Sequence, residues 1–184
     1  MPVRMTTLRL STTNARAWDE HVLDGRGVDV PEPLVRSWHR ARIAGVDPDR
    51  RGDPGARLHG SDLEARRTEP TLARVVAEAE AMLVAGTPEL ESECRLAVAA
   101  PDGVVIATFG GGEFGRRADA VGLRPGRLWC ETERGTNGIG TAIADDAAEP
   151  VRSAAHVERQ LHQLASVGVP VRSEHGDVVA VLGL

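Results

Sequence analysis

Three groups of residues in this 184-residue chain are of types that do chemistry or hold ligands. Cys94 and Cys130 are thiols 36 positions apart, outside any C-x-x-C pattern. A redox pair would need their Cα atoms within about 7 Å; buried, inert thiols are the simpler alternative. His156 and His162 are six positions apart. Metal sites favour i, i+4 histidines or a matched Cys/His set, so no metal is expected. What remains is a hydrogen-bonding histidine at a pocket rim or an ordinary structural one. The third group is Gly135-Thr136-Asn137, directly before the apolar stretch GIGTAIA. Asn or Thr there can cap a helix, and the same free N–H groups can receive an anionic or carbonyl ligand. Gly138 and Gly140 would each cost such a helix about 1 kcal/mol relative to Ala. Close packing on a sheet, or room for a ligand, would explain that cost.

Catalytic signatures are missing. The sequence contains no G-x-S-x-G, no H-E-x-x-H and no P-loop. All 22 basic residues are Arg, which removes Schiff-base chemistry. The formal net charge is −5, and residues 36–57 hold six Arg against three Asp, a mild basic island. A clustered basic face and a high pI would be expected of a nucleic-acid-binding domain; the pI here is about 5.7. No apolar run approaches 18 residues and no signal peptide is evident, so a cytoplasmic chain with reduced thiols is expected.

The elements that must position these residues follow from periodicity. Residues 1–13 lack it and read as a flexible start, and Asn14 can cap a short helix carrying Ala17, Trp18, His21 and Val22. A helix from Pro31 to Gly45 carries Leu34, Val35, Trp38, Ala41 and Ile43 as an apolar stripe. After a Pro/Gly-rich loop, Ser61 and Glu64 fit a capping box, and Pro70 imposes a kink or a restart. Leu72, Val75, Val76, Ala79, Met82 and Leu83 then form a helical stripe for dimerisation or for intramolecular packing. From residue 93, CRLAVAAPDGVVIATFG reads as a hairpin turning at Pro101-Asp102-Gly103. A short helix over Arg116–Val121, a loop, the GTN helix, an extended piece at Pro150–Arg152, a helix in VERQLHQL and a final hairpin across SEHGD complete the chain. The order β-β-α-loop-α-β-α-β-β predicts an α+β fold.

Two motifs carry a family resemblance. Trp129, Glu131, Gly135, Thr136, Asn137, Ile139, Gly140, Thr141, Ala142 and Ile143 follow the pattern W-x-E-x-x-x-G-T-N-x-I-G-T-A-L. Pro150-Val151, His156, Leu161-His162-Gln163-Leu164, Ala165-Ser166 and Pro170-Val171 continue it. Upstream, Pro33, Ser37, Trp38, Arg40, Gly45, Val46 and Pro48 match an opening P-x-x-x-x-S-W-x-R-x-x-x-x-G-V-x-P. Across about residues 31–184 the chain resembles the GAF-containing input region of acetoin-catabolism-type, sigma-54-dependent activators.

The resemblance implies an α+β GAF fold, an antiparallel sheet with flanking helices, preceded by an N-terminal helical extension. It places a helical region at 1–91 and a GAF sensory domain at 92–184. It implies a non-enzymatic sensor that binds a small organic effector, with Trp129, Cys130, Asn137, Thr141, His156 and His162 at or near the site. No cofactor, no metal and no membrane are expected; a homodimer is, with DNA reached only through a downstream domain. Two other readings stay open: a cysteine-based redox sensor or reductase using Cys94 and Cys130, and a ligandless dimerisation module. A structure with no cavity above about 100 Å³, far below a usual ligand site, would favour the last and count against the sensor.

Overall fold

The computed structural model describes residues 15–27, 29–55, 57–86 and 93–184. The expected flexible start, the Asn14 cap and the boundary at 91–92 lie outside the described residues.

Helix α1 (Ala15–Trp18) runs on into a π-helical turn over Asp19–Leu23, burying Trp18 and His21. Helix α2 (Glu32–Ile43) starts beside Pro31 and buries Ser37, Trp38 and Ala41. Ile43, expected on this stripe, is 74% exposed. It lies two positions past Ala41, off the face set by Leu34, Ser37, Trp38 and Ala41.

Helix α3 (Gly60–Arg67) begins at His59 with no side-chain cap bond, so the expected Ser61–Glu64 capping box is not made. Glu69 performs that role one helix later, accepting from the Thr71 and Leu72 amides at 3.2 and 2.9 Å. Pro70 therefore restarts the chain as α4 (Pro70–Val84). Leu72, Val75, Ala79 and Leu83 are buried, whereas Met82, one position off that face, is 65% exposed. The stripe packs on the molecule's own sheet, against β1, β2 and β5.

That sheet comprises β1 (Leu96–Ala99), β2 (Val105–Phe109), β3 (Glu149–Arg152), β4 (Ala165–Arg172) and β5 (Val178–Gly183). Their spatial order is β2-β1-β5-β4-β3, every pair antiparallel. Alternation along the strands builds two cores. Val98, Ala100, Val104, Ile106 and Ala180 face α4. Ala97, Ala99, Val105 and Val181 face the other way, onto Trp129, Ile139, Ala142 and Leu161. The second face is covered by α5 (Gly112–Ala120), α6 (Glu131–Arg134) and α7 (Gly138–Asp145).

Helix α7 explains its own glycines. A Cβ on Gly138 would stand 2.8 Å from the Val167 carbonyl carbon of β4, and one on Gly140 would stand 2.6 Å from the Trp129 oxygen. A Cβ on Gly168 would collide with the Gly138 oxygen. Backbone meets backbone, so close packing rather than ligand room accounts for both glycines. Gly138→Ala should accordingly cost about 1–3 kcal/mol, read as a lower denaturation midpoint. A neutral effect would mean that α7 does not seat on β4 this closely.

VERQLHQL is not the expected α-helix. Only 3₁₀ turns form, over Ser153–Ala155 and Arg159–Leu161. The start of the segment and the two residues before it are held by distant donors instead. The Trp38 indole donates to Ala155 O at 2.8 Å, and the Trp18 indole to His156 O and Val157 O at 3.0 and 3.2 Å. Trp18, Trp38, Ala41 and Val46 thus share one core with Ala154 and Val157.

Candidate functional site

Between the β4–β5 end of the sheet and α5 lies a partly open cavity of about 40 Å³. Phe114, Val121, Leu123, Trp129, Leu161 and Leu164 supply most of its wall. Three polar side chains join them: Arg95, His156 and Ser166. The His156 ring is fixed at both nitrogens. Nδ1 lies 3.0 Å from Ser153 O and must carry the proton, so Nε2 accepts from the Ser166 hydroxyl at 3.1 Å. Ser166 Oγ in turn accepts from the Gly138 amide at 3.0 Å.

Burial holds the His156 imidazole down to about 4, with the nearby His162 adding slightly and the Ser153 bond opposing. The unfolded chain binds that proton near 6.5, so between the two values unfolding takes up a proton. Stability is complete above pH 6.5 and falls toward pH 4, by roughly 3 kcal/mol for this group. His162 is also lowered by burial, with the same sign. Unfolding free energy measured from pH 7.5 to 4 should show this slope, and His156→Asn should flatten most of it. An equally steep slope in the variant would place the titration elsewhere.

Beside the cavity two buried ionic clusters tie the elements together. Arg134 and Glu158 are both 0% exposed and form a bidentate pair at 2.8 and 2.7 Å. Arg134 also donates to Val121 O at 2.9 Å and lies 4.4 Å over the Trp129 ring. The second cluster centres on Glu131, 4% exposed. Its Oε1 accepts from Ser37, from Thr141 at 2.7 Å and from Arg40 Nη2 at 3.1 Å, while Oε2 accepts from Arg40 Nε at 2.5 Å. Thr136 completes it with a 2.6 Å bond to Ser37. The S-W-x-R motif of α2 and the W-x-E-x-x-x-G-T-N-x-I-G-T motif are therefore two halves of one latch.

Of the six residues expected at the site, Trp129 and His156 line the cavity. Trp129 donates its indole N–H to Gly122 O at 2.9 Å. Asn137 caps α7 by accepting from Gly140 at 2.9 Å, and its amide donates to Trp129 O and Gly135 O. Thr141 belongs to the Glu131 cluster. His162 packs edge-on to Trp18 at 5.1 Å and donates Nε2–H to His156 O at 3.1 Å. Cys130 sits beside Thr132, its Sγ 3.1 Å from that hydroxyl. Both cysteines are free. Cys94 precedes β1, whereas the Cys130 amide packs where a Gly103 Cβ would be, 2.8 Å away, at the opposite end of the hairpin. The intervening strand alone spans about 13 Å, too far for a disulfide between them.

Sequence reasoning missed Arg95, Phe114 and the Arg134–Glu158 pair. Arg95 sits just before β1, where alternation carries no weight, and Arg134 and Glu158 read as ordinary surface charges. A shallower groove of about 850 Å³ lies on the other face, between α3 and the β1–β2 turn. Among the described residues no cluster of His, Cys, Asp or Glu could hold a metal, and no helix is long and apolar enough to cross a membrane.

The family described as MimR, N-terminal domain matches residues 12–183. The chain belongs to that family. The match of this MimR-type N-terminal domain runs without a break through the helical extension and the sheet, as the latch between them requires. Three matched relatives are named transcriptional activators, two of which represent them here. One is the propane 2-monooxygenase operon activator MimR of Mycolicibacterium goodii, 30% identical over 145 residues, 78% of this chain and 23% of that protein. The other is the acetoin dehydrogenase operon activator AcoR of Bacillus subtilis, 25% identical over 172 residues, 92% of this chain and 28% of that protein. The chain spans between 23% and 39% of the length of the curated relatives it matches. The crystal structure of the E. coli DhaR(N)–DhaL complex shares the fold, with TM-score 0.74 and 18% identity over 83% of this chain and 52% of that one. The α+β GAF-type architecture and the activator family expected from the motifs are both observed. This MimR-type domain is a regulatory N-terminal region of the transcription-activator kind.

Proposed function

We propose that this chain is a cytoplasmic, non-catalytic input domain, acting as a homodimer, whose cavity takes up a small organic effector. Occupancy is passed to the N-terminal helices and read by a DNA-binding domain elsewhere in the regulator. One observation carries the reading: His156 presents its ring to the cavity while its main-chain carbonyl holds the Trp18 indole, at 3.0 Å. A ligand larger than a water or two must push the walls apart. Any displacement of His156 then loads the contacts holding α1 and α2. The ligand shifts the balance between two arrangements by its difference in affinity for them.

The test is a thermal-shift screen of small ketones, diols and phenols. A binder at 100 times its Kd stabilises by about 2.7 kcal/mol, and Trp129→Ala should abolish the shift. If no compound raises Tm, the sensor reading fails. A second reading, a ligandless structural module, is favoured by the 40 Å³ volume itself, since ligand sites usually enclose several hundred Å³. The same screen separates the two.

A further inference from the structure

Helix α4 has a second face. Its inner arc, Leu72, Val75, Ala79 and Leu83, is buried. At about 100° per residue, the arc directly opposite holds Pro70, Ala73, Ala77, Ala81 and Val84. Val84 is 80% exposed, Pro70, Ala77 and Ala81 are exposed, and Ala73 is half-buried. No charged residue stands on this arc. The charges run along its edges, Arg74 and Glu78 on one and Glu80 on the other. None of these three side chains makes a hydrogen bond or an ion pair with another described residue. Ala77 is also the midpoint of α4, seven positions from Pro70 and seven from Val84.

We infer that this outer face is where two copies of the chain pair, α4 antiparallel to α4 across a two-fold axis at Ala77, with Arg74 of each copy against Glu78 of the other. The inference rests on the homodimer proposed above and gives it a surface. Turned end for end about Ala77, the stripe meets its own image: Ala73 falls beside the partner's Ala81, and Pro70 beside the partner's Val84. Alanine side chains let the helix axes approach to about 8 Å, the close end of helix packing. In that register Arg74 and the partner's Glu78 lie on the same edge, two residues or about 3 Å apart along the axes. The two-fold makes the pair twice. A parallel pairing would leave Arg74 six residues, about 9 Å, from the partner's Glu80, the nearest acid across the contact. Edge charges of this kind fix direction and register more than they add affinity. Two helices of 15 residues bury less than about 1,200 Å², the size of a transient contact. The dimer therefore dissociates on dilution.

Sedimentation equilibrium of the whole chain across a concentration series measures the dimer. Ala77→Arg sets two cations against each other on the axis and should raise the dissociation constant about tenfold or more. Its thermal unfolding as a monomer should stay close to wild type, since position 77 is exposed. Arg74→Glu should also weaken the dimer, and Arg74→Glu/Glu78→Arg should restore it, which keeps the test open if Ala77→Arg folds poorly. Direction is read by cysteine cross-linking, scored against the wild type with its own two thiols. Ala77→Cys should link to itself, and Ala73→Cys mixed with Ala81→Cys should link. Ala73→Cys alone should not, because its two copies stand about 12 Å apart along the axes, beyond disulfide reach. A dimer left intact by Ala77→Arg, no recovery in the double charge swap, or self-linking of Ala73→Cys would overturn the pairing while leaving the homodimer in place. A wild-type chain that stays monomeric throughout the series would bring down the homodimer and the pairing together.

Discussion

Arg134→Met is expected to lower the unfolding free energy by about 3 kcal/mol, because it removes the bidentate partner of a buried carboxylate and leaves Glu158 only Gln160 at 2.7 Å and Arg50 at 3.6 Å. Both partners are fully buried, and the two guanidinium bonds measure 2.8 and 2.7 Å. The variant also leaves Val121 O without its donor and removes the cation over Trp129. The double variant Arg134→Met/Glu158→Leu should recover most of the loss, since a packed apolar pair often matches a buried ion pair in stability. Urea denaturation of the three proteins is the check. A loss under about 1 kcal/mol in the single variant would show that Glu158 reaches water.

Glu131→Ala is the second large effect. It removes the one acceptor shared by Ser37, Arg40 and Thr141. The expected cost is about 3–5 kcal/mol, and its local character distinguishes it from the first. With the latch open, α2 keeps the Arg40–Asp145 pair at 3.0 Å, the Ser37–Thr136 bond and the Trp38 contact, so proteolysis should cut within residues 44–59 faster than in the wild type. Ser37→Ala, which leaves Arg40 and Thr141 in place, should cost about 1–2 kcal/mol. If Glu131→Ala destabilises without faster cleavage, Asp145, Thr136 and the tryptophans suffice to hold α2.

The parts of this molecule legible in its sequence are those whose reasons are local. The hairpin at Pro101-Asp102-Gly103, the final strand pair and the Asn137 cap each follow from turn chemistry and alternation within a few residues. The regulator family was legible too, because its motif residues are held by shared contacts: Glu131, Thr136 and Thr141 meet Ser37 and Arg40 of the other motif. Illegible were the features decided by distant partners. The helix expected in VERQLHQL is absent where Trp18 and Trp38, more than 115 positions away, tie down Val157 O and the two carbonyls just before it. Glu158 and Arg134 look solvated in sequence, yet they pair across 24 residues in the core. Of the candidate site, Trp129 and His156 were foreseen, whereas Arg95, just before β1 where no pattern marks it, became visible only among the residues lining the cavity.

The central claim is that the cavity and the N-terminal helices form one mechanical unit. The chain has three tryptophans: Trp129 in the cavity wall, and Trp18 and Trp38 bonded to the segment that carries His156. Their three indole N–H resonances, followed by NMR during titration with the tightest binder from the ketone, diol and phenol panel, report both ends at once. All three are expected to move along the same saturation curve. Movement of Trp129 alone, with Trp18 and Trp38 unchanged at saturation, would contradict it.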